Sequence, residues 1–157
     1  MKIRFGEEED YSQLAEMKWS HLQEDDEENE ENNIEGADKD AFISEFVSFL
    51  KSENNYQIFV VEERDEIISA MFLYIIPKLP RPNGKSSRIA YLTNVFTRKE
   101  YRNQNIGTEL LSYIKEYSGN HGCELLFVWP SEKSVKWYCK NGFTMVNEIM
   151  ECVLLPE

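Results

Sequence analysis

Apolar residues along this chain recur with two periods. Segments 2–5, 57–62, 67–76, 89–96 and 125–129 are rich in β-branched and aromatic residues and read as strands. In the fourth, Ile89, Tyr91, Thr93 and Val95 alternate with Ala90, Leu92, Asn94 and Phe96, and both sets are mostly apolar. That pattern predicts a strand buried on both faces. Other segments keep helical spacing. Leu14, Ala15, Lys18 and Leu22 predict a first helix, and Phe42, Phe46, Phe49 and Leu50 a second, with Asp38 placed to cap it. Ile106, Leu110, Leu111, Ile114 and Tyr117 form one stripe of a third helix from about Asn105, with Glu109, Lys115 and Glu116 outside it.

The punctuation is equally legible. Glu63-Arg64-Asp65-Glu66 predicts a hairpin between the second and third strands. Three prolines and a glycine within 77–85 break both periods and predict a loop. Pro130 stops the fifth strand, a short helix covers 131–139, and two last strands are expected at 143–146 and 148–154. No repeat or linker interrupts the chain, so 1–157 reads as one α/β domain with a mixed sheet.

Between the fourth strand and the third helix lies Arg102-Asn103-Gln104-Asn105-Ile106-Gly107-Thr108. The first-turn N–H groups of a helix lack intrahelical partners, and the helix dipole adds partial positive charge there, so such a turn suits a phosphate. Gly107 lets an anion approach the backbone. After glycine, asparagine best tolerates positive φ, which fits Asn103 and Asn105 to a sharp turn. Arg102 can add a charge-assisted bond. A capped surface helix with asparagines in its turn explains the same residues equally well.

Charge and cysteine usage narrow the classes. The net charge is −12, and segment 24–35 alone holds eight acids and no base. That segment reads as an acidic loop after the first helix. Such a chain is a poor nucleic-acid binder, which needs clustered Lys and Arg. No apolar run reaches the ~18 residues of a membrane span, and the N-terminus lacks a signal peptide's apolar core. Cys123, Cys139 and Cys152 are odd in number without Cys-x-x-Cys spacing, so reduced thiols and a cytoplasmic location are expected. His21 and His121 are too few and too far apart to suggest a metal site, and each reads as an ordinary surface or partly buried histidine.

Arg102-x-x-Asn105-x-Gly107-Thr108 resembles the Arg/Gln-x-x-Gly-x-Gly/Ala signature of the GCN5-related N-acetyltransferases. About thirty residues on, Tyr138 stands four residues before Gly142-Phe143, on a short helix, like that family's second signature. The chain departs from the family at Asn105, where glycine is usual. The resemblance implies a mostly antiparallel sheet with two splayed parallel strands, flanked by about four helices. It implies acetyl-CoA as cosubstrate, without a metal, its pyrophosphate held by Arg102, Asn103, Gln104, Asn105, Ile106, Gly107 and Thr108. The pantetheine arm would run along Val95, Phe96 and Thr97, with Ser131 nearby. Val95 N–H would serve as oxyanion donor and Tyr138 as general acid. Where the family often places a basic Glu on the fourth strand, this chain has Tyr91. The base is then water or the substrate's own deprotonation.

Two functions follow from the resemblance. One is N-acetyl transfer to a primary amine in a ternary complex, the acidic segment drawing a cationic acceptor or merely being solvated. The other is a CoA-binding sensor that has lost transfer. A homodimer is compatible with either.

Overall fold

The computed structural model describes residues 1–29, 34–53, 55–83 and 87–155. Five strands, β1 (Lys2–Phe5), β2 (Tyr56–Glu63), β3 (Glu66–Pro77), β4 (Arg88–Thr97) and β5 (Cys123–Phe127), form one sheet in sequence order. The first three pairings are antiparallel, and β4 with β5 is parallel. Four helices flank it: α1 (Tyr11–Asn29), α2 (Lys39–Ser52), α3 (Ile106–Asn120) and α4 (Val135–Lys140). The expected mixed sheet with four helices is therefore the observed one.

Local chemistry sets the element ends. Arg64 and Asp65 both take positive φ, 51° and 63°, which matches the hairpin twist between β2 and β3. The Asp38 carboxylate accepts from Ala41 N–H at 3.1 Å and caps α2. Arg4 on β1 holds Asp10 with its two terminal guanidinium nitrogens, at 2.7 and 2.9 Å, and pairs through Nε with Glu62, fixing the approach to α1.

The core has two layers, one on each face of the sheet. Ile106, Leu110, Leu111 and Ile114 of α3, with Tyr138 of α4, pack against Phe59, Val61, Met71, Leu73 and Leu92. Leu14 and Met17 of α1 and Leu50 of α2 cover Ile58, Val60, Ala70, Phe72 and Phe96. Phe49, expected on the buried stripe of α2, is 49% exposed, at the stripe's edge beside Tyr56.

Three expectations are corrected. Residues 24–29 continue α1 and are not a loop; Glu24, Asp25 and Glu28 are held by Arg102 and Lys133. The strand expected at 125–129 starts earlier and ends at Phe127, two residues before Trp129. The strands expected at 143–146 and 148–154 do not form, because no ladder partner lies beside these residues among the described ones. Residues 30–33 of the acidic segment and 84–85 of the proline loop lie outside the described residues.

Candidate active site

The site begins at an irregularity in β4. Ala70 faces Phe96 and Phe72 faces Thr93, so Asn94 and Val95 together oppose Met71, a β-bulge. Asn94 sits at φ 51°. The bulge inverts the side-chain alternation: Leu92 joins the core layer under α3, whereas Phe96 joins the layer under α1 and α2. Nothing in the even spacing of residues 89–96 signals this inversion.

The bulge also fixes which backbone groups face outward. Arg98 N–H donates to Ile68 O at 2.9 Å, and the Ser69 hydroxyl donates to Phe96 O at 3.2 Å. Alternation along the extended strand then turns the peptide groups of Val95 and Thr97 away from β3. On that side there is no strand among the described residues. β5 pairs with β4 only from Arg88 to Tyr91, so the two strands part beyond Tyr91. A cavity of about 910 Å³ fills the gap.

The turn at the end of β4 closes one end of this cavity. Asn103 (φ 61°) and Asn105 (φ 67°) adopt the left-handed conformation expected of them. Asn105 is the N-cap residue of α3, yet its side chain makes no capping bond. Unlike α2, capped by Asp38, α3 presents the first-turn N–H groups of Ile106, Gly107 and Thr108 without a side-chain acceptor. A Cβ added at Gly107 would lie 3.4 Å from the Trp137 ring and 3.5 Å from the Thr97 hydroxyl. Both are ordinary van der Waals distances, so a methyl group would fit there. These features fit a pyrophosphate at the turn.

Val95, Phe96, Thr97, Arg102, Asn103, Asn105, Ile106, Gly107, Thr108, Ser131 and Tyr138 all line the cavity. Gln104 does not; its side chain donates to Glu100 O at 3.1 Å on the surface. Arg102 is already engaged. Its Nε donates to Thr97 O at 2.9 Å, an Nη meets Glu24 at 2.7 Å, and its guanidinium lies over the Phe96 ring at 5.3 Å. The Ser131 hydroxyl meets that of Ser134 at 3.0 Å.

Tyr138 sits deep in the cavity wall, with its ring against Trp137 and Phe143 at 4.9 and 5.2 Å. Burial, with the nearby Tyr91 hydroxyl, pushes its phenol up to about 12. It stays protonated across the physiological range. Tyr91 lines the opposite wall, stacked on Phe127 at 5.2 Å and edge-on to Trp129 at 4.7 Å.

Sequence reasoning missed the contribution of α1. Lys18, His21, Glu24 and Asp25 all line the cavity, and nothing in their helical spacing pointed across the sheet. His21 stacks on Phe96 at 5.0 Å, and its Nε2 lies 3.4 Å from Asp25. Burial outweighs Asp25 and holds the imidazole below its usual range, hence neutral at pH 7. Burial likewise lowers the Lys18 ammonium. Lys133 reaches over from the turn after β5 to Asp25 and Glu28, and its bond to Glu28 raises its own value.

Among the described residues no cluster of His, Cys, Asp and Glu could hold a metal ion, and no helix is long and apolar enough to cross a membrane.

Comparison with known proteins agrees with this geometry. The model of the acetyltransferase (GNAT) family matches residues 11–143. No curated protein matches the sequence. Among solved structures, a predicted acetyltransferase with acetyl-CoA from Clostridium acetobutylicum is 24% identical, with 98% of this chain and 96% of that one covered, at a TM-score of 0.73. A possible acetyltransferase from Clostridium difficile 630 is 14% identical, with coverages of 99% and 98% and a TM-score of 0.74. The glucosamine-6-phosphate N-acetyltransferase of Arabidopsis thaliana is 17% identical, with coverages of 98% and 97% and a TM-score of 0.66. At such identities these neighbours establish the fold, and the match over residues 11–143 establishes that the chain belongs to the acetyltransferase (GNAT) family.

Proposed function

We propose that this protein is an acetyl-CoA-dependent N-acetyltransferase that acetylates a primary amine of a small molecule or peptide by direct attack in a ternary complex. The observation that carries this reading is the parting of β4 from β5. It turns the Val95 and Thr97 peptide groups toward a cavity that also holds Tyr138 and the open N-terminus of α3.

Acetyl-CoA supplies an activated acyl group on a good leaving thiolate. The chain's own residues do the rest. The amides of 106–108 grip the pyrophosphate, with Arg102 exchanging its bond to Glu24 for one to a phosphate oxygen. The Val95 N–H, free of any ladder, points at the carbonyl oxygen and stabilises the charge that develops there. Thr97 differs from Val95 in that its carbonyl is already taken by Arg102, which leaves its N–H for the pantetheine arm.

Tyr138 donates to the sulfur as the carbon–sulfur bond breaks. A free alkyl amine, with a pKa of ~10.4, is neutral in only about one molecule per thousand near pH 7.4, which costs about 4 kcal/mol. His21 is poorly placed as a base, since its Nε2 faces Asp25 and its Nδ1 is buried without a partner. The amine's proton therefore passes to water in the open mouth.

The acidic end of α1 supports a cationic acceptor. Three of its acids, Glu24, Asp25 and Glu28, are met by Arg102 and Lys133, and Asp26 and Glu27 add negative charge on another side of the same helix end. Polyamines or lysine-bearing peptides should outrun neutral amines, increasingly so as salt falls.

A panel of amines with acetyl-CoA, read by release of free thiol, tests the reading. Tight CoA binding without thiol release for any amine would make the protein a CoA-binding sensor instead.

A further inference from the structure

Two lysines, Lys18 and Lys133, line the cavity, and they are held differently. Lys133 sits at the mouth between carboxylates, 3.5 Å from Asp25 and paired with Glu28. Lys18 lies half-buried on α1, and among the described residues its ammonium has no ion pair and no hydrogen bond. The charge of Asp25 acts on it only at a distance, and burial outweighs it. A half-buried ammonium without a partner is destabilised and shifts toward the neutral amine.

Two contacts fix where Lys18 lies along β4. Glu24 meets Arg102 at 2.7 Å and His21 stacks on Phe96 at 5.0 Å, so α1 runs in the same sense as β4. Lys18 stands one turn before His21. Three residues of helix advance ~4.5 Å, and a strand covers ~3.3 Å per residue, so Lys18 falls level with Asn94 and Val95. That is the bulge at which the Val95 peptide faces the cavity. From there the flexible four-carbon stem of Lys18 can carry Nζ to the place that the proposed function gives to the acetyl carbonyl.

We propose that Lys18 is a self-acetylation site: without an added acceptor, its Nζ takes the acetyl group of the acetyl-CoA bound in its own cleft. This rests on the proposed function and adds an internal acceptor to it. The neutral Nζ attacks the carbonyl carbon. A nitrogen–carbon bond forms, the carbon–sulfur bond breaks, and its electron pair leaves on the CoA sulfur, to which Tyr138 donates a hydrogen bond. The proton that Nζ sheds goes to water. The products are an N-acetyl-lysine and CoA. Burial favours the neutral amine that this attack needs, whereas the bond to Glu28 keeps Lys133 charged. A thioester held in the cleft also presents its carbonyl at high effective concentration. Acetylation removes the charge of Lys18 and leaves a neutral amide in the cavity wall.

The full chain is incubated with acetyl-CoA and no amine, and intact-mass spectrometry with peptide mapping is the readout. A single acetyl group should appear on Lys18, at a rate independent of protein concentration. An acetyl on Lys18 in the protein as isolated is the same result, provided Gly107→Glu lacks it. Gly107→Glu, which blocks the cofactor turn, should slow the modification roughly 10²-fold. Lys18→Arg keeps the charge and should gain no acetyl group. Acetylation confined to other residues, or to none, overturns the proposal. So does a rate that grows with protein concentration, which marks transfer between molecules, or an equal rate in Gly107→Glu, which marks reaction with free acetyl-CoA. Thiol release with an added amine but no acetyl on Lys18 removes this inference and leaves the proposed function standing. No thiol release with any amine and no acetyl on Lys18 removes both.

Discussion

Replacing Tyr138 by Phe keeps the ring in its packing against Trp137 and Phe143 and removes one oxygen with its proton. The structure sets what that proton can do. With the phenol at about 12, full transfer to a thiolate of ordinary pKa, about 8.5, is uphill by about 3.5 units, or roughly 5 kcal/mol. On the proposed function Tyr138 would therefore act as a hydrogen-bond donor to the developing sulfur charge and keep its proton, while the amine's proton goes to water. A hydrogen bond to a charged group contributes about 1.5–3 kcal/mol. The loss of kcat should then be about 10- to 10²-fold, with cofactor affinity nearly unchanged.

Single-turnover thiol release, where the chemical step limits the rate, is the assay. The parent's rate should show no alkaline decline from Tyr138 up to pH 9, where a phenol at about 12 is ionised in about one molecule per thousand. The same shift acts on stability. The folded value lies above the unfolded value of about 10, so the contribution is complete below pH 10 and is lost as pH rises toward 12. Two units amount to roughly 2.7 kcal/mol, and Tyr138→Phe should remove that slope from the alkaline unfolding curve. An unchanged single-turnover rate in Tyr138→Phe would refute the donor role.

Three further outcomes follow from the cleft. Gly107→Glu should abolish CoA binding by calorimetry while the fold persists, because a long anionic side chain would stand beside the α3 amides; equal affinity would move the pyrophosphate elsewhere. Glu24→Gln should tighten CoA binding two- to fivefold, since a partly exposed ion pair of about 0–1 kcal/mol no longer has to be given up; unchanged or weaker binding would mean that Arg102 is not recruited. His21 is depressed by burial, so its contribution to stability is present above its unfolded pKa of ~6.5 and is lost as pH falls below it; His21→Gln should flatten the acid limb of unfolding, and an unaltered limb would count against its burial.

The parts of this protein that were legible in its sequence are those that local chemistry decides. Asn103 and Asn105 take positive φ because their residue type tolerates it, and the stripe from Ile106 to Ile114 is buried because its spacing keeps one face. Tyr138 could be placed because its spacing to Gly142 and Phe143 is local. The bulge at Asn94 was not legible, since a polar residue within an apolar alternation leaves the period unchanged to either side. The missing strands at 143–146 and 148–154 failed for another reason. Their composition suits a strand, but a strand needs a ladder partner, and partners are chosen non-locally.

The acidic end of α1 is the sharpest case of that limit. A run of Glu24, Asp25, Asp26, Glu27 and Glu28 repels itself and lies at a helix C-terminus, where the dipole disfavours negative charge. Local rules therefore read it as a loop. The helix persists because cations come to it from far along the chain: Arg102 is 78 residues from Glu24 and Lys133 is 105 from Glu28. One of these cations follows β4 and the other follows β5, so α1 bridges the two walls that part to make the cavity. The segment that looked like a solvated appendage is thus a strap across the cleft mouth, made of partly exposed ion pairs that a phosphate can displace at little cost. On the proposed function, a cofactor that takes Arg102 from Glu24 would loosen one end of that strap and leave the other, on Lys133, in place. Cofactor binding and the electrostatics of the cleft mouth would in this way be coupled through a single helix end.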